Sequence, residues 1–147
     1  MSEQQKAKRA KRLLSIAEQE REAARQRLAE SNQRRSAAVE ERELAERRLH
    51  EDHRRAGHSP EWLMAELDQE ARRRDLRRAL EQEKSADADV AVAGQKAQEA
   101  HQKHRVFERF VTNITDRIAD GTRRQESRDA DAFALAMWTK QATSDDP

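Results

Sequence analysis

The sequence has no cysteine and almost none of the residues that interrupt a helix. Its 147 residues include three glycines, two prolines and only 3% aromatic residues. The absence of cysteine excludes disulfides, thiolate catalysis and thiol-based metal sites. So few glycines and prolines leave few places where the chain can reverse direction. These absences predict a small number of long segments rather than a globular domain with many turns.

Long hydrophobic runs are also missing. No stretch approaches the roughly 20 apolar residues of a membrane-spanning helix. The basic N-terminus is not followed by the roughly 7–15 apolar residues of a signal peptide. We therefore expect a cytoplasmic protein with no membrane insertion.

Charged residues and good helix formers make up most of the chain. Charged residues account for 40% and hydrophobic residues for 35%, and 30 basic side chains nearly balance 29 acidic ones. Low hydropathy with high charge can leave a chain disordered. Here the charges cancel and the apolar residues are periodic, which favours a folded helical protein. We interpret residues 1–147 as one coiled-coil domain.

The first arm, about residues 5–56, repeats small and apolar residues at alternating spacings of three and four. Sustained over several heptads, this spacing predicts a packed helical seam. Because alanine buries little area, and arginines at a positions are expected to extend to solvent, the seam should be weak. The a positions are Ala7, Leu14, Arg21, Leu28, Arg35, Arg42, Leu49 and Ala56, and the d positions are Ala10, Ala17, Ala24, Ser31, Ala38 and Ala45.

A break follows at Gly57-His58-Ser59-Pro60. Gly57 suits a helix C-cap, and Ser59 suits an N-cap with Pro60 at the first helical position. We expect a tip turn and a short helix over about 57–85. The apolar content thins near 85–89, a second and weaker candidate bend, so the sequence leaves open whether residues 60–140 form one helix or two.

The second arm, about residues 88–140, resumes the heptad and is followed by a tail, 141–147, that should fray. Its a positions are Val90, Ala97, His104, Val111 and Ile118, and its d positions are Ala93, Ala100, Phe107, Ile114, Gly121 and Leu135. Two arms of similar length around a central break predict an all-α fold, a long antiparallel two-stranded coiled-coil hairpin with a shorter helix at the tip. One candidate register places Leu28 opposite Ile114, Arg21 opposite Gly121 and Leu49 opposite Ala93, although a shift of one heptad fits nearly as well.

The sequence offers little for catalysis. His50/His53 and His101/His104 have the i, i+3 spacing of ligands on one helical face, but metal sites in bundles also need carboxylates from neighbouring helices. In the candidate register the two pairs do not converge. No phosphate-binding loop, catalytic triad pattern or metalloprotease motif occurs. We expect no enzyme activity, no metal and no cofactor.

Two basic clusters, residues 6–12 and 72–78, could contact phosphates. A net charge of +1 and interleaved acidic residues disfavour nucleic acid as the partner. A solvated helix surface and contact with an acidic protein remain the alternatives. Trp62 either packs the end of the hairpin or is an exposed anchor for a partner, and Trp138 has the same two interpretations.

With the hairpin laid out, the chain resembles the stalk-protein family of bacterial type III export machines. The similarity covers the layout of most of the chain, with a basic first helix, a break and a tryptophan-bearing segment, Pro60-Glu61-Trp62-Leu63. An aromatic-aliphatic stretch at 105–110 follows. The closing segment 124–134 is similar to the family's C-terminal helix at Arg124, Glu126, Asp131, Phe133 and Ala134.

The resemblance implies a central stalk, located in the cytoplasm at the inner-membrane export apparatus of either a flagellum or an injectisome. The end that carries both termini would insert into a hexameric export ATPase. The opposite end would contact the cytoplasmic domain of the export gate, with export-chaperone escort as an additional role. The implied ATPase contacts are Lys8, Arg9, Arg12, Leu13, Arg124, Glu126, Asp131 and Phe133; the implied gate contacts are Trp62, Leu63, Leu67 and Ala71. The alternative is a generic coiled-coil scaffold or chaperone without an ATPase partner.

Overall fold

A computed structural model describes residues 2–51 and 59–144 and contains two α-helices. Helix α1 spans Glu3–His50 and α2 spans Ser59–Ser144, and the two pack against each other. The described residues include no β-strand. The predicted all-α helical hairpin is confirmed.

Helix α2 is continuous, so the separate short helix expected over about 57–85 and the bend near 85–89 are wrong. Residues such as Ser85 and Asp87 each cost less than about 0.7 kcal/mol relative to alanine in a helix, too little to end one that is packed. The start at Ser59, with Pro60 in the first turn, is as predicted. Helix α1 ends at His50, short of the predicted 56. Gly57, the expected C-cap, lies outside the described residues.

Burial along α2 shows an uninterrupted heptad from residue 65 to residue 118. Buried or half-buried positions alternate by four and three along this whole length, because a 3.5-residue period keeps one stripe facing the partner helix. The repeat therefore begins well before Val90, where the sequence pattern becomes visible. Between residues 65 and 90 the repeat is concealed in the sequence by polar seam residues such as Gln69, Arg72 and Glu83. The stripe comprises Ala65, Gln69, Arg72, Leu76, Ala79, Glu83, Ala86, Val90, Ala93, Ala97, Ala100, His104, Phe107, Val111, Ile114 and Ile118.

The seam of α1 is the predicted one. All six predicted d positions are buried or half-buried, and Arg35 is the exposed residue among the a positions from 7 to 49. The most buried of these d positions are small: Ala10, Ala17, Ser31 and Ala38. Small side chains in this seam bury little apolar area, so it contributes modestly to stability.

The chain divides into two compact units, each built from a segment of both helices. The central unit comprises residues 19–51 and 59–101. The terminal unit comprises residues 2–18 and 102–144.

In the central unit the helices run antiparallel, and three contacts establish their register. A Cβ added to Gly94 would lie 4.0 Å from Cδ1 of Leu28. Arg35 Nε lies 2.6 Å from Asp87 Oδ1, and Arg42 Nε lies 2.5 Å from Glu83 Oε2. The candidate register is therefore wrong: it placed Leu28 opposite Ile114. That register assumed arms of equal length on either side of a tip helix, whereas α2 is one helix that pairs almost from its start.

In the terminal unit α2 continues past the beginning of α1. His104 Nε2 lies 3.6 Å from Glu18 Oε1, so antiparallel counting places Glu3 level with about residue 119. Every residue from 119 to 144 is exposed. We call residues 119–144 the overhang; it accounts for about 39 Å of helix at roughly 1.5 Å per residue. Gly121 and Leu135, predicted as seam residues, are exposed in the overhang instead.

Candidate interaction surfaces

The first turns of α2 carry an exposed apolar surface. Trp62 is 61% exposed, and Leu63 and Leu67 are also more than half exposed. Ala71, the fourth predicted gate residue, is exposed as well. The structure adds Met64, which the sequence analysis did not select. The exposure of Trp62 favours the anchor interpretation over packing.

Side chains of α2 hold the end of α1 next to this surface. The last carbonyls of a helix have no partner within the helix and need other donors. Arg72 Nη1 donates to the carbonyl oxygens of Arg48 (2.7 Å) and Glu51 (3.1 Å), and Gln69 Nε2 donates to that of Leu49 (3.1 Å). Arg72 is thus a capping residue.

Ion pairs with nearby carboxylates partly neutralise the basic cluster at 72–78. Besides its capping contacts, Arg72 pairs with Asp68 at 3.0 Å. Arg73 and Arg77 lie 3.6 Å and 3.7 Å from the carboxylate of Glu70. These contacts weaken the case for a phosphate-binding surface here.

A charged layer crosses the central unit at Arg42. Its Nη1 donates to Glu46 Oε1 at 2.9 Å, and its buried Nε forms a 2.5 Å ion pair with Glu83 without the angle of a good hydrogen bond. The hydrogen bond with Glu46 is the main cause that raises the pKa of Arg42, and the charge of Glu83 adds to it against the effect of burial. Arg42 therefore pairs across the seam, whereas the sequence analysis expected it to extend to solvent.

The eight predicted ATPase contacts all belong to the terminal unit and are all exposed. They form two groups rather than one site. One group lies on the paired part of α1: Lys8, Arg9, Arg12 and Leu13. The other lies on the overhang, beyond the start of α1: Arg124, Glu126, Asp131 and Phe133.

The overhang becomes apolar on all sides towards its end. Between residues 130 and 138 only Asp131 is polar. Phe133 and Trp138 are each 68% exposed, and Leu135 and Met137 are exposed too. A helix that is apolar around its whole circumference is normally enclosed by other structure. The described residues do not cover it.

A second apolar surface of the terminal unit lies on one flank of the hairpin. It consists of g and c heptad positions, and the g positions of two antiparallel helices flank the seam on the same side. We call these residues the flank patch: Leu13, Ile16, Val106 and Phe110, all exposed. The basic residues Lys6, Arg9, Lys103 and Arg117 occupy neighbouring g and c positions. The flank patch is not evident in the sequence, because its residues come together from both helices only in the observed register.

The opposite flank of the same unit is different. Its e and b positions bear no large apolar side chain and mix both charges: Lys8, Lys11, Ser15, Glu18, Arg105, Glu108, Thr112 and Thr115. The apolar character of the flank patch is therefore specific to one side of the hairpin.

The histidine pairs do not build a metal site in the part of the chain that is described. His104 is buried, with Glu18 and Glu108 each 3.6 Å away, while His50 and His101 are exposed. His53 lies outside the described residues. Within residues 2–51 and 59–144, no three or more histidine, aspartate or glutamate side chains are arranged so that they could hold a metal ion.

The concave features are open grooves rather than enclosed pockets. Those of the central unit include one beside Arg48 and Arg72, one beside Ala24 and Ala93 and one beside Arg35 and Val39. In the residues that the structure covers, no helix combines the length and apolarity needed to span a bilayer.

Compared with protein-family models, with curated proteins and with solved structures, the chain matches none of them. The resemblance to export stalk proteins thus depends on the layout of the chain and its local segments.

Proposed function

We propose that the protein is a central-stalk component of a bacterial type III export apparatus, located in the cytoplasm at the inner membrane. The observation that carries this proposal is the overhang, a single helix extending beyond the paired hairpin. Its apolar end, around Phe133 and Trp138, suits a partner that encloses a helix from every side. The lumen of a hexameric ATPase ring is such a partner.

The charge pattern of the terminal unit supports the same role. Arg124 and Glu126 precede the apolar segment, and Lys8, Arg9 and Arg12 lie on the paired part of the unit. Exposed charge pairs are individually weak, about 0–1 kcal/mol. Contacts of this strength can break and re-form as a stalk meets successive subunits of a ring. No pocket or catalytic group is needed for this function, so we propose that the protein is not an enzyme.

The apolar surface at the start of α2 is proposed to contact the cytoplasmic domain of the export gate. Trp62, Leu63, Leu67 and Ala71 supply it, and Met64 extends it. Tryptophan is enriched among residues that dominate binding energy at interfaces. The same surface is available for an export-chaperone escort.

The test is binding to the export ATPase and stimulation of its hydrolysis by the full chain. Phe133→Asp should abolish the stimulation, because the substitution places a charge in the apolar segment that the ATPase ring would enclose. Helical circular dichroism should not change. Trp62→Ala is the matched control: it should leave ATPase stimulation unchanged and weaken binding to the gate domain. If an assembly-competent ATPase shows neither binding nor a rate change with the unmodified chain, the stalk proposal fails.

The second candidate is a coiled-coil scaffold or chaperone without an ATPase partner. The open apolar surfaces at Trp62 and on the flank patch favour it, because both could hold another polypeptide. This candidate predicts that Val106→Asp and Trp62→Ala impair capture of a client protein alike, with no effect on any ATPase.

A further inference from the structure

Large and small side chains alternate along the seam of the central unit, and this alternation repeats with every heptad. Antiparallel counting from the three register contacts pairs a positions of α1 with d positions of α2, such as Leu28 with Ala93 and Arg42 with Ala79. In this unit the a positions of α1 are leucine or arginine, and the d positions of α2 from 79 to 100 are alanine. A displacement by one heptad again places large side chains against alanine, so packing alone does not select the register.

The cross-helix ion pairs select the register only in part. Arg35 pairs with Asp87, and Arg42 pairs with Glu83. The two arginines are one heptad apart, so moving α1 by seven residues towards the end of α2 brings Arg42 to the place that Arg35 now occupies beside Asp87. One of the two ion pairs is lost in this movement, and the other is replaced.

The contacts at the end of α1 are the ones that do not repeat. Arg72 and Gln69 donate to three carbonyl oxygens between residues 48 and 51. After a displacement by one heptad, the same carbonyls would lie beside Leu76 and Ala79, whose side chains have no hydrogen-bond donor. These caps therefore exist only in the observed register.

We propose that the hairpin has a second register, in which α1 is displaced by one heptad towards the end of α2. Gln69 and Arg72 form a latch that holds the observed register, and α1 slides when they release its last carbonyls. Movement of one packed element past another by whole helical turns is an established kind of conformational transition. This device lies in the seam of the hairpin and does not depend on the stalk function.

The terminal unit tolerates the same displacement. His104 lies 3.6 Å from Glu18 in the observed register. Counting from this contact, the displacement brings Val111 opposite Ala17, so a large side chain again meets a small one. The start of α1 then reaches further along α2, and Ile118 gains a partner.

A displacement in the opposite direction is disfavoured at both ends of α1. It would place Arg42 against Arg72, and like charges repel. It would also withdraw Glu3 from about the level of residue 119 to about residue 112. Ile114 and Ile118 would then lose the helix that packs on them, which is costly for large apolar side chains. The sliding therefore has one direction.

The length of the connection limits the sliding to one heptad. Helix α1 ends at His50 and α2 begins at Ser59, so nine Cα steps join them and reach about 30–32 Å when extended. After one heptad His50 is level with residue 78, about 28 Å from Ser59 along the helix axis. A second heptad adds about 10 Å and exceeds this reach. Extending the connection costs conformational entropy, so the displaced register is the less populated one.

Disulfide trapping measures the register directly, since the chain has no cysteine of its own. Val90→Cys is combined with Ser31→Cys, Ala38→Cys or Ala24→Cys, three small seam residues of α1 that are one heptad apart. The Ser31 pair reports the observed register, the Ala38 pair the displaced register and the Ala24 pair a displacement in the opposite direction. Mass spectrometry of the full chain during oxidation gives the rate of each intramolecular cross-link.

We expect the Ser31 pair to cross-link fastest when the latch is intact. Gln69→Ala combined with Arg72→Ala should raise the rate of the Ala38 pair at least tenfold, because the caps no longer favour the observed register. The rate of the Ala24 pair should not change. Gln69→Ala alone removes one of the three caps and should raise the rate of the Ala38 pair by a smaller factor.

Arg74→Ala is the matched control, because Arg74 is an exposed arginine of the same basic cluster. It should leave the rates of all three pairs unchanged. If the latch substitutions raise the rates of the Ala38 and Ala24 pairs equally, the hairpin opens rather than slides and the proposal is wrong. An Ala38 pair whose rate does not rise in either latch variant overturns the proposal as well.

Discussion

Two stretches of the same helix behave differently. From residue 65 to residue 118, α2 alternates buried and exposed positions with a heptad period, whereas every residue from 119 to 144 is exposed. Both stretches are rich in alanine and charge, so composition does not account for the contrast. The presence or absence of α1 alongside accounts for it. A heptad pattern indicates which face of a helix can pack, but a partner has to be there.

The beginning of α1 determines where one stretch gives way to the other. Ser2 Oγ accepts a hydrogen bond from Gln5 N at 3.2 Å, and Ser2 N donates to Gln5 Oε1 at 3.1 Å. This reciprocal pair is a capping box, which satisfies two backbone donors at the start of a helix. Glu3, the first helical residue of α1, is level with about position 119 of α2.

The substitution with the largest expected effect on stability tests the contrast between the packed and the exposed stretch of α2 within the terminal unit. Ile114 is 4% exposed, and Ile114→Ala should lower the free energy of unfolding by about 2–4 kcal/mol, as for other large-to-small core substitutions. Leu135→Ala on the overhang is the matched control and should change it by less than about 0.5 kcal/mol. Urea denaturation followed by circular dichroism measures both, at concentrations where the chain is monomeric. Equal losses would show that the overhang is packed.

The next effect concerns the central unit, where α2 caps α1. Arg72→Ala removes donors to two carbonyl oxygens and should cost about 1–2 kcal/mol of stability. Arg74→Ala is the control from the same basic cluster; its side chain is exposed, and we expect a change within about 0.5 kcal/mol. Hydrogen exchange should also show faster opening of amides near residue 48 in the Arg72 variant only. Similar losses of stability in the Arg72 and Arg74 variants would show that Arg72 does not cap α1.

The smallest expected effects on stability concern two glycines, Gly94 in the paired stretch of α2 and Gly121 in the overhang. Glycine costs up to about 1 kcal/mol relative to alanine inside a helix. Gly94→Ala should stabilise the hairpin by about 0.5–1 kcal/mol in urea denaturation, because the new methyl would meet Leu28 at ordinary contact distance, 4.0 Å. Gly121→Ala should slow hydrogen exchange in the overhang of the monomer with almost no change in global stability. A destabilising Gly94→Ala would contradict the register.

The fold class was predictable from residue types alone, and the register was not. The spacing of Ala10, Ala17, Ser31 and Ala38 predicts the seam of α1 correctly, because a heptad repeat is a local property. The continuity of α2 through Asp87 was missed, because the polar seam residues Glu83 and Arg72 interrupt the apolar pattern. Their partners lie on the other helix, so single-helix periodicity cannot identify them as interior.

Some of the candidate surfaces were also predictable from the sequence, and others were not. Trp62 and Phe133 were selected from sequence as interaction residues, and both are exposed, although their partners remain a prediction. The flank patch was missed because Leu13 and Phe110 are distant in the chain and become neighbours only in the observed register. The capping box at Ser2 and Gln5 was present as a sequence signal and could have indicated where α1 begins.

Local chemistry in this chain thus determined the all-α fold, the chain reversal before Pro60 and the packing stripe of α1, because these depend on spacing and propensity within a few turns. Tertiary structure decided how far α1 reaches along α2 and hence that α2 ends in an overhang. It did so because many alanine-rich registers are similar in apolar burial. Cross-helix contacts such as Arg42 with Glu83, and the caps from Arg72, distinguish one register from the others.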